Sequence, residues 1–121
     1  MFNLKRLIKS FGYAFKGLFR TLREEQNLKI QMLISVAVIS AGLYCRLDRI
    51  EWSIILLSIG AVLLAEIANS AIERITDVLR PRINTYVKEI KDIAAAAVMI
   101  ASMAAIIIGV LIFYPHLANI F

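Results

Sequence analysis

The sequence predicts an all-α membrane protein: an amino-terminal amphipathic helix on the membrane surface, followed by three transmembrane helices. Three observations predict it. Of the 121 residues, 60% are hydrophobic and only 19% are charged, a composition outside the range of water-soluble domains. The apolar residues gather into three long stretches, each near the roughly 20 residues that a helix needs to cross a bilayer. The basic residues crowd between those stretches with a strong bias toward alternate sides. The length accommodates one domain, 1–121, and no second one.

The first element covers about 2–26, where Leu4, Leu7, Ile8, Phe11, Phe15, Leu18, Phe19 and Leu22 recur at steps of three and four. Lys5, Arg6, Lys9, Lys16 and Arg20 mostly fall between them, which is the pattern of an amphipathic helix. A signal peptide needs an unbroken apolar run after its basic start. Here the charges recur every few positions, so the segment is expected to stay on the protein and lie in the interface. The first span, about 28–47, is interrupted only by Gln31 and two serines between Ile30 and Cys45, and the polar group LDRIE at 47–51 closes it. Cys45 has no partner for an intramolecular disulfide and reads as a buried space-filler.

The second span, about 51–72, is uncharged from Trp52 to Ala65, and its helical pattern continues as a cytoplasmic helix to about 79. Pro81 is expected to stop it. The third, about 92–114, carries no formal charge after Asp92 except a protonated His116, and Pro115 marks its expected end. The tract Ala94–Ala97 permits close helix packing.

Seven basic residues precede the first span, two (Arg46 and Arg49) lie in the first turn, and five (Arg74, Arg80, Arg82, Lys88 and Lys91) lie between the second and third spans. Lysine and arginine are retained on the cytoplasmic side of short loops. The amino terminus and the 74–91 segment are therefore expected inside, and the 46–51 turn and carboxyl terminus outside. The net charge of +5 then faces anionic lipid rather than nucleic acid.

Glu66, Asn69, Glu73 and Asp77 stand at i, i+3, i+7 and i+11, which brings three carboxylates and an amide onto one helix face. Glu66 follows fourteen uncharged residues, so it lies within or just under the bilayer surface, where an ionisable group marks function. The plainer reading is a solvated helix end with acids paired to basic neighbours. Lys91 and Asp92 open the third span on the same side, and on their own they fit a snorkelling lysine and a helix cap. Together with the stripe they fit a polyphosphate site: carboxylates for magnesium, a lysine for phosphate oxygens, and a further carboxylate for a hydroxyl proton. The chain has no GxxxxGK[ST] loop, kinase glycine loop or Cys/His cluster, which excludes a soluble nucleotide fold.

The string EIANSAIERITDV at 66–78, followed by KDIAAAAV at 91–98, closely resembles the signature of the bacterial integral-membrane diacylglycerol kinase family, supported upstream by RLIKSFGYAFKGL at 6–18 and by Glu24 and Glu25. The resemblance covers Arg6 to about Leu111. It implies a homotrimer with composite sites between subunits, in the bacterial inner membrane, that phosphorylates a lipid hydroxyl with ATP and Mg2+. By motif position, Glu66 would be the catalytic base and Asn69 would position the reacting groups, both touching the lipid. Glu25 and Glu73 would hold magnesium on ATP, and Lys91 would meet the phosphates. Asp77 and Asp92 would complete the nucleotide site, with Arg6, Tyr13 and Lys16 near it. Gln31 replaces the acid expected in the diacylglycerol-specific branch, and EEQNLKIQ at 24–31 and ERITD at 73–77 look more like the undecaprenol kinase branch. Undecaprenol is thus the expected acceptor and diacylglycerol the alternative. The loop RPRINTYV lacks the Tyr-His pair of some members, leaving adenine and ribose contacts open.

A small proton-coupled exporter would need Glu66 but not Asn69, Glu73, Asp77 and Lys91 on the same edge, and an accessory subunit would need none of them. The distribution of basic residues predicts that a reporter fused after Phe121 registers outside the cytoplasm. A cytoplasmic signal there overturns the three-span topology.

Overall fold

A computed structural model describes residues 3–79 and 84–121. Four helices account for them: α1 (Leu4–Glu24), α2 (Gln26–Cys45), α3 (Arg49–Leu79) and α4 (Asn84–Ile120). Three of these, α2, α3 and α4, are long and apolar enough to cross a membrane. The protein is therefore all-α, as its sequence predicts. Pro81, the expected helix stop, lies outside the described residues together with Arg80 and Arg82.

No side chain of α1 is buried. Leu4, Ile8, Phe11, Phe15 and Phe19 stand exposed on one stripe, a face whose natural neighbour is the bilayer interface. Asn3 caps the helix by accepting a hydrogen bond from the Arg6 backbone N–H at 3.2 Å. A single extended residue, Glu25, separates α1 from α2. It closes the first helix with its N–H on the Thr21 carbonyl at 2.8 Å and opens the second with its own carbonyl accepting from the Lys29 N–H at 3.3 Å. Leu28, 1% exposed, seats the start of α2 in the bundle.

The turn from α2 to α3 is tight. Arg46 adopts the left-handed conformation (φ 55°, ψ 58°), and the Gly42 carbonyl accepts the Arg46 and Leu47 N–H groups, the usual way to satisfy the last carbonyls of a helix. Asp48 and Glu51 then form a reciprocal capping box: Glu51 N–H donates to Asp48 Oδ1 at 2.8 Å and Asp48 N–H to Glu51 Oε1 at 3.1 Å. The same Glu51 carboxylate meets His116 Nε2 at 2.9 Å, joining the start of α3 to the end of α4.

At the opposite end, Lys91 Nζ donates to Asp77 Oδ1 at 2.7 Å. The two contacts are 26 residues apart on α3 and 25 on α4, so the helices run antiparallel in one register for about 39 Å. This register extends α4 beyond the expected span. The helix begins at Asn84 instead of 92 and continues through Pro115 to Ile120. Good helix formers in KEIK at 88–91 and the buried Val87 carry the first extension. The second follows because neighbouring helices support a membrane helix through a proline. Cys45 is half-buried rather than enclosed.

The exposed surface is 9570 Å2, against about 6,600 Å2 for a compact globular chain of this mass. The exposed apolar flanks of the spans and of α1 contribute to the excess. A methyl group on Gly42 would stand 2.8 Å from Trp52 Cη2 and 3.0 Å from Leu47 Cδ1. Gly42→Ala should therefore destabilise the protein by about 1–3 kcal/mol despite alanine's better helix propensity. Thermal unfolding in detergent measures this, and Trp52→Leu should restore the variant. Unchanged unfolding of Gly42→Ala would mean that the turn yields freely.

Candidate active site

The carboxyl-terminal half of α3 buries polar side chains. Glu66 is 2% exposed, Asn69 9%, Ser70 2% and Thr76 1%. Glu66, Asn69, Glu73 and Asp77 span about 80° of the helix circumference, so one helix presents them as a column. Asn69 Nδ2 approaches Glu73 Oε1 at 3.5 Å, a long contact. Thr76 turns its hydroxyl back to the Glu73 carbonyl at 2.9 Å. The Lys91–Asp77 pair closes the column from α4.

Glu25 reaches this column from the α1–α2 joint. Its carboxylate and that of Glu73 are the charged neighbours of Glu66, and the Gln31 side chain faces the same carboxylate from α2. Three acids thus come from two separate elements. Gln31 Oε1 and Asn69 Oδ1 are buried without a protein hydrogen-bond partner. Such groups are costly unless something satisfies them, and both belong to the surroundings of Glu66. Beside them an apolar cavity of about 540 Å3 runs between α2, α3 and α4, from Gln31 past Ser35 and Val62 to Phe113 and Tyr114.

The structure brings Glu25, Glu66, Asn69, Glu73, Asp77 and Lys91 together. Asp92 is exposed on α4 beside Lys91. Arg6, Tyr13 and Lys16 are exposed on α1, with Lys16 Nζ 5.9 Å from the Tyr13 ring centre, and among the described residues no hydrogen bond or ion pair joins them to the column. Glu24 turns away from the column to pair with Arg74 at 2.6 Å, so the two adjacent acids have different neighbours. Sequence reading missed the hydroxyl of Ser70, buried without a partner; its spacing of four from Glu66 was the available signal. It also treated Gln31 as a branch marker only, although Gln31 is the one amide inside the first span.

Among the described residues, no three His, Cys, Asp or Glu side chains form a metal cage by themselves. Magnesium in phosphoryl-transfer sites needs less: one or two carboxylates, with phosphate and water supplying the rest. Glu25 and Glu73, hard oxygen donors flanking Glu66, fit that requirement.

A buried acid below a row of acids and a lysine, at the membrane end of a long helix and beside an apolar cavity, is the arrangement of an enzyme acting on a lipid head. Residues 12–113 match the family model described as prokaryotic diacylglycerol kinase, and the chain belongs to that family. It is an integral-membrane lipid kinase. The chain is 39% identical over 115 residues to an undecaprenol kinase of Bacillus subtilis, covering 95% of this chain and 94% of that one. It is 31% identical to a diacylglycerol kinase of Synechocystis, covering 94% of this chain and 66% of the relative. Its identity to a diacylglycerol kinase of Escherichia coli is 28%, covering 92% and 91%.

Proposed function

We propose that the protein transfers the γ-phosphoryl group of ATP to the terminal hydroxyl of undecaprenol, with Mg2+, in the bacterial inner membrane. The observation that carries this reading is the buried Glu66 at the foot of the column Asn69, Glu73 and Asp77. A lipid alcohol is held at the interface by its own tail, and a base must stand within hydrogen-bond reach of it. Glu66 takes the hydroxyl proton as the oxygen attacks phosphorus, and ADP leaves. Asn69, with an unpartnered Oδ1, orients the reacting groups.

Glu73 lies seven residues further, about 10 Å along the axis, leaving room for the phosphoryl group between the two carboxylates. Glu25 and Glu73 would hold magnesium, which supplies charge neutralisation on the transferring phosphates. Lys91 meets phosphate oxygens, and Asp77 holds Lys91 in place. Asp92, Arg6, Tyr13 and Lys16 belong to the outer nucleotide contacts. The protein works as a homotrimer, its amino terminus cytoplasmic and its carboxyl terminus outside.

Undecaprenol is favoured over diacylglycerol by the higher identity to the Bacillus subtilis undecaprenol kinase over nearly the whole chain. The neutral Gln31 beside the apolar cavity supports it, since a polyprenol offers one hydroxyl and no ester groups to read. Diacylglycerol is the second acceptor, on the names of the other two relatives.

Purified protein in mixed micelles with labelled ATP, magnesium and each lipid tests the reading. Label should enter undecaprenol; label in diacylglycerol alone changes the acceptor, and label in neither removes the kinase assignment. Glu66→Gln should lower turnover ~10² to 10⁴-fold with ATP affinity nearly unchanged. Turnover within a few-fold of wild type would show that another group takes the proton. Glu73→Gln should lose activity at ordinary magnesium and regain part of it when magnesium is raised. An unaltered magnesium titration in that variant assigns the metal elsewhere.

A further inference from the structure

A second cleft, of about 410 Å3, opens between α1 and α3. Ala14, Gly17, Leu18 and Ile67 give it apolar walls, and Arg20 and Arg74 line it as well. Ile67, Ser70, Ala71 and Arg74 centre roughly 100° around α3 from the catalytic column, so the cleft opens mainly on a neighbouring face of that helix. Ser70 lines it, is 2% exposed, and its hydroxyl has no hydrogen-bond partner. Elsewhere the helical hydroxyls of Ser10, Thr21, Ser35, Ser40, Ser53 and Ser58 donate to the carbonyl four residues back. Ser70 does not.

Charge gives the occupant its sign. Arg74 is paired with Glu24 at 2.6 Å, whereas Arg20 makes no ion pair among the described residues, so the cleft keeps one positive charge in excess. A guanidinium pair with a hydroxyl between small apolar residues suits a phosphate with hydrocarbon attached. The depth agrees: Ser70 is one helical turn from Glu66, and α1 carries the apolar stripe that faces the bilayer interface. We propose that this cleft is an accessory site for the phosphate headgroup of an anionic membrane lipid, held by Arg20 and Arg74 with Ser70 donating.

Native mass spectrometry of the detergent-purified protein tests this without nucleotide, so its outcome is independent of the kinase reading. The probes are phosphatidylglycerol, phosphatidylcholine and inorganic phosphate, each supplied in turn. Wild type should retain phosphatidylglycerol in preference to phosphatidylcholine. Arg20→Gln should reduce that retention roughly ten-fold, the worth of one charged hydrogen bond, and Ser70→Ala should reduce it less. Lys9→Gln, on α1 but outside the cleft, should leave it unchanged. Equal loss in Lys9→Gln and Arg20→Gln would reduce the effect to diffuse surface charge and overturn the site. Unchanged retention in both Arg20→Gln and Ser70→Ala would also overturn it. Inorganic phosphate that displaces phosphatidylglycerol as effectively as excess phosphatidylglycerol does would assign the cleft to a soluble anion and overturn the lipid source.

Discussion

The antiparallel contact between α3 and α4 positions the rest of the molecule. It is closed at one end by Lys91 on Asp77 and at the other by His116 on Glu51. Between these points no other hydrogen bond or ion pair among the described residues joins the two helices, and apolar contacts alone would let them slide. The two polar contacts fix the register. With it fixed, Lys91 stands beside the acidic column, and the surface helix can reach α3 from the other side through Glu24 and Arg74.

The distribution of burial inverts that of a soluble protein. In the carboxyl-terminal half of α3 the enclosed side chains are Glu66, Asn69, Ser70 and Thr76, while most leucines, isoleucines and valines along the spans face outward. The bilayer takes over the role that an apolar core plays in water, so the interior is free to hold groups that would be wasted in a packing core. Enclosing them has a cost, visible in the unpartnered oxygens of Gln31, Asn69 and Ser70. Function is the usual reason for retaining such groups in a membrane.

The spans were legible because bilayer thickness imposes a length that composition alone reveals, and the column because its four residues share one helical period. The break between surface helix and first span was legible to within about two residues of Glu25, from the change of an amphipathic pattern into an apolar run, although neither proline nor glycine marks it. The early start of α4 escaped: TYVKEIK is polar enough to read as loop, and only the long partner α3 draws it into helix. The helix itself runs on through Pro115, because the effect of a proline depends on neighbours absent from a local pattern. The pairing of Glu51 with His116 links positions 65 residues apart, which no periodicity can indicate. In the site, the residues of one helix were readable together and Glu25 came with the family resemblance, while the place of Gln31 beside Glu66 needed the path of the chain.

The single-residue joint at Glu25 leaves no slack between α1 and α2. In a loop of several residues an insertion is absorbed by rearrangement, but here an added residue continues one helix or the other. Each added helical residue rotates α1 by about 100° about its axis, which would turn Phe11, Phe15 and Phe19 from the bilayer toward water. Length variation in natural homologues should therefore collect at the free end of α1 and between α3 and α4, with the joint itself constant in length even where its residues change.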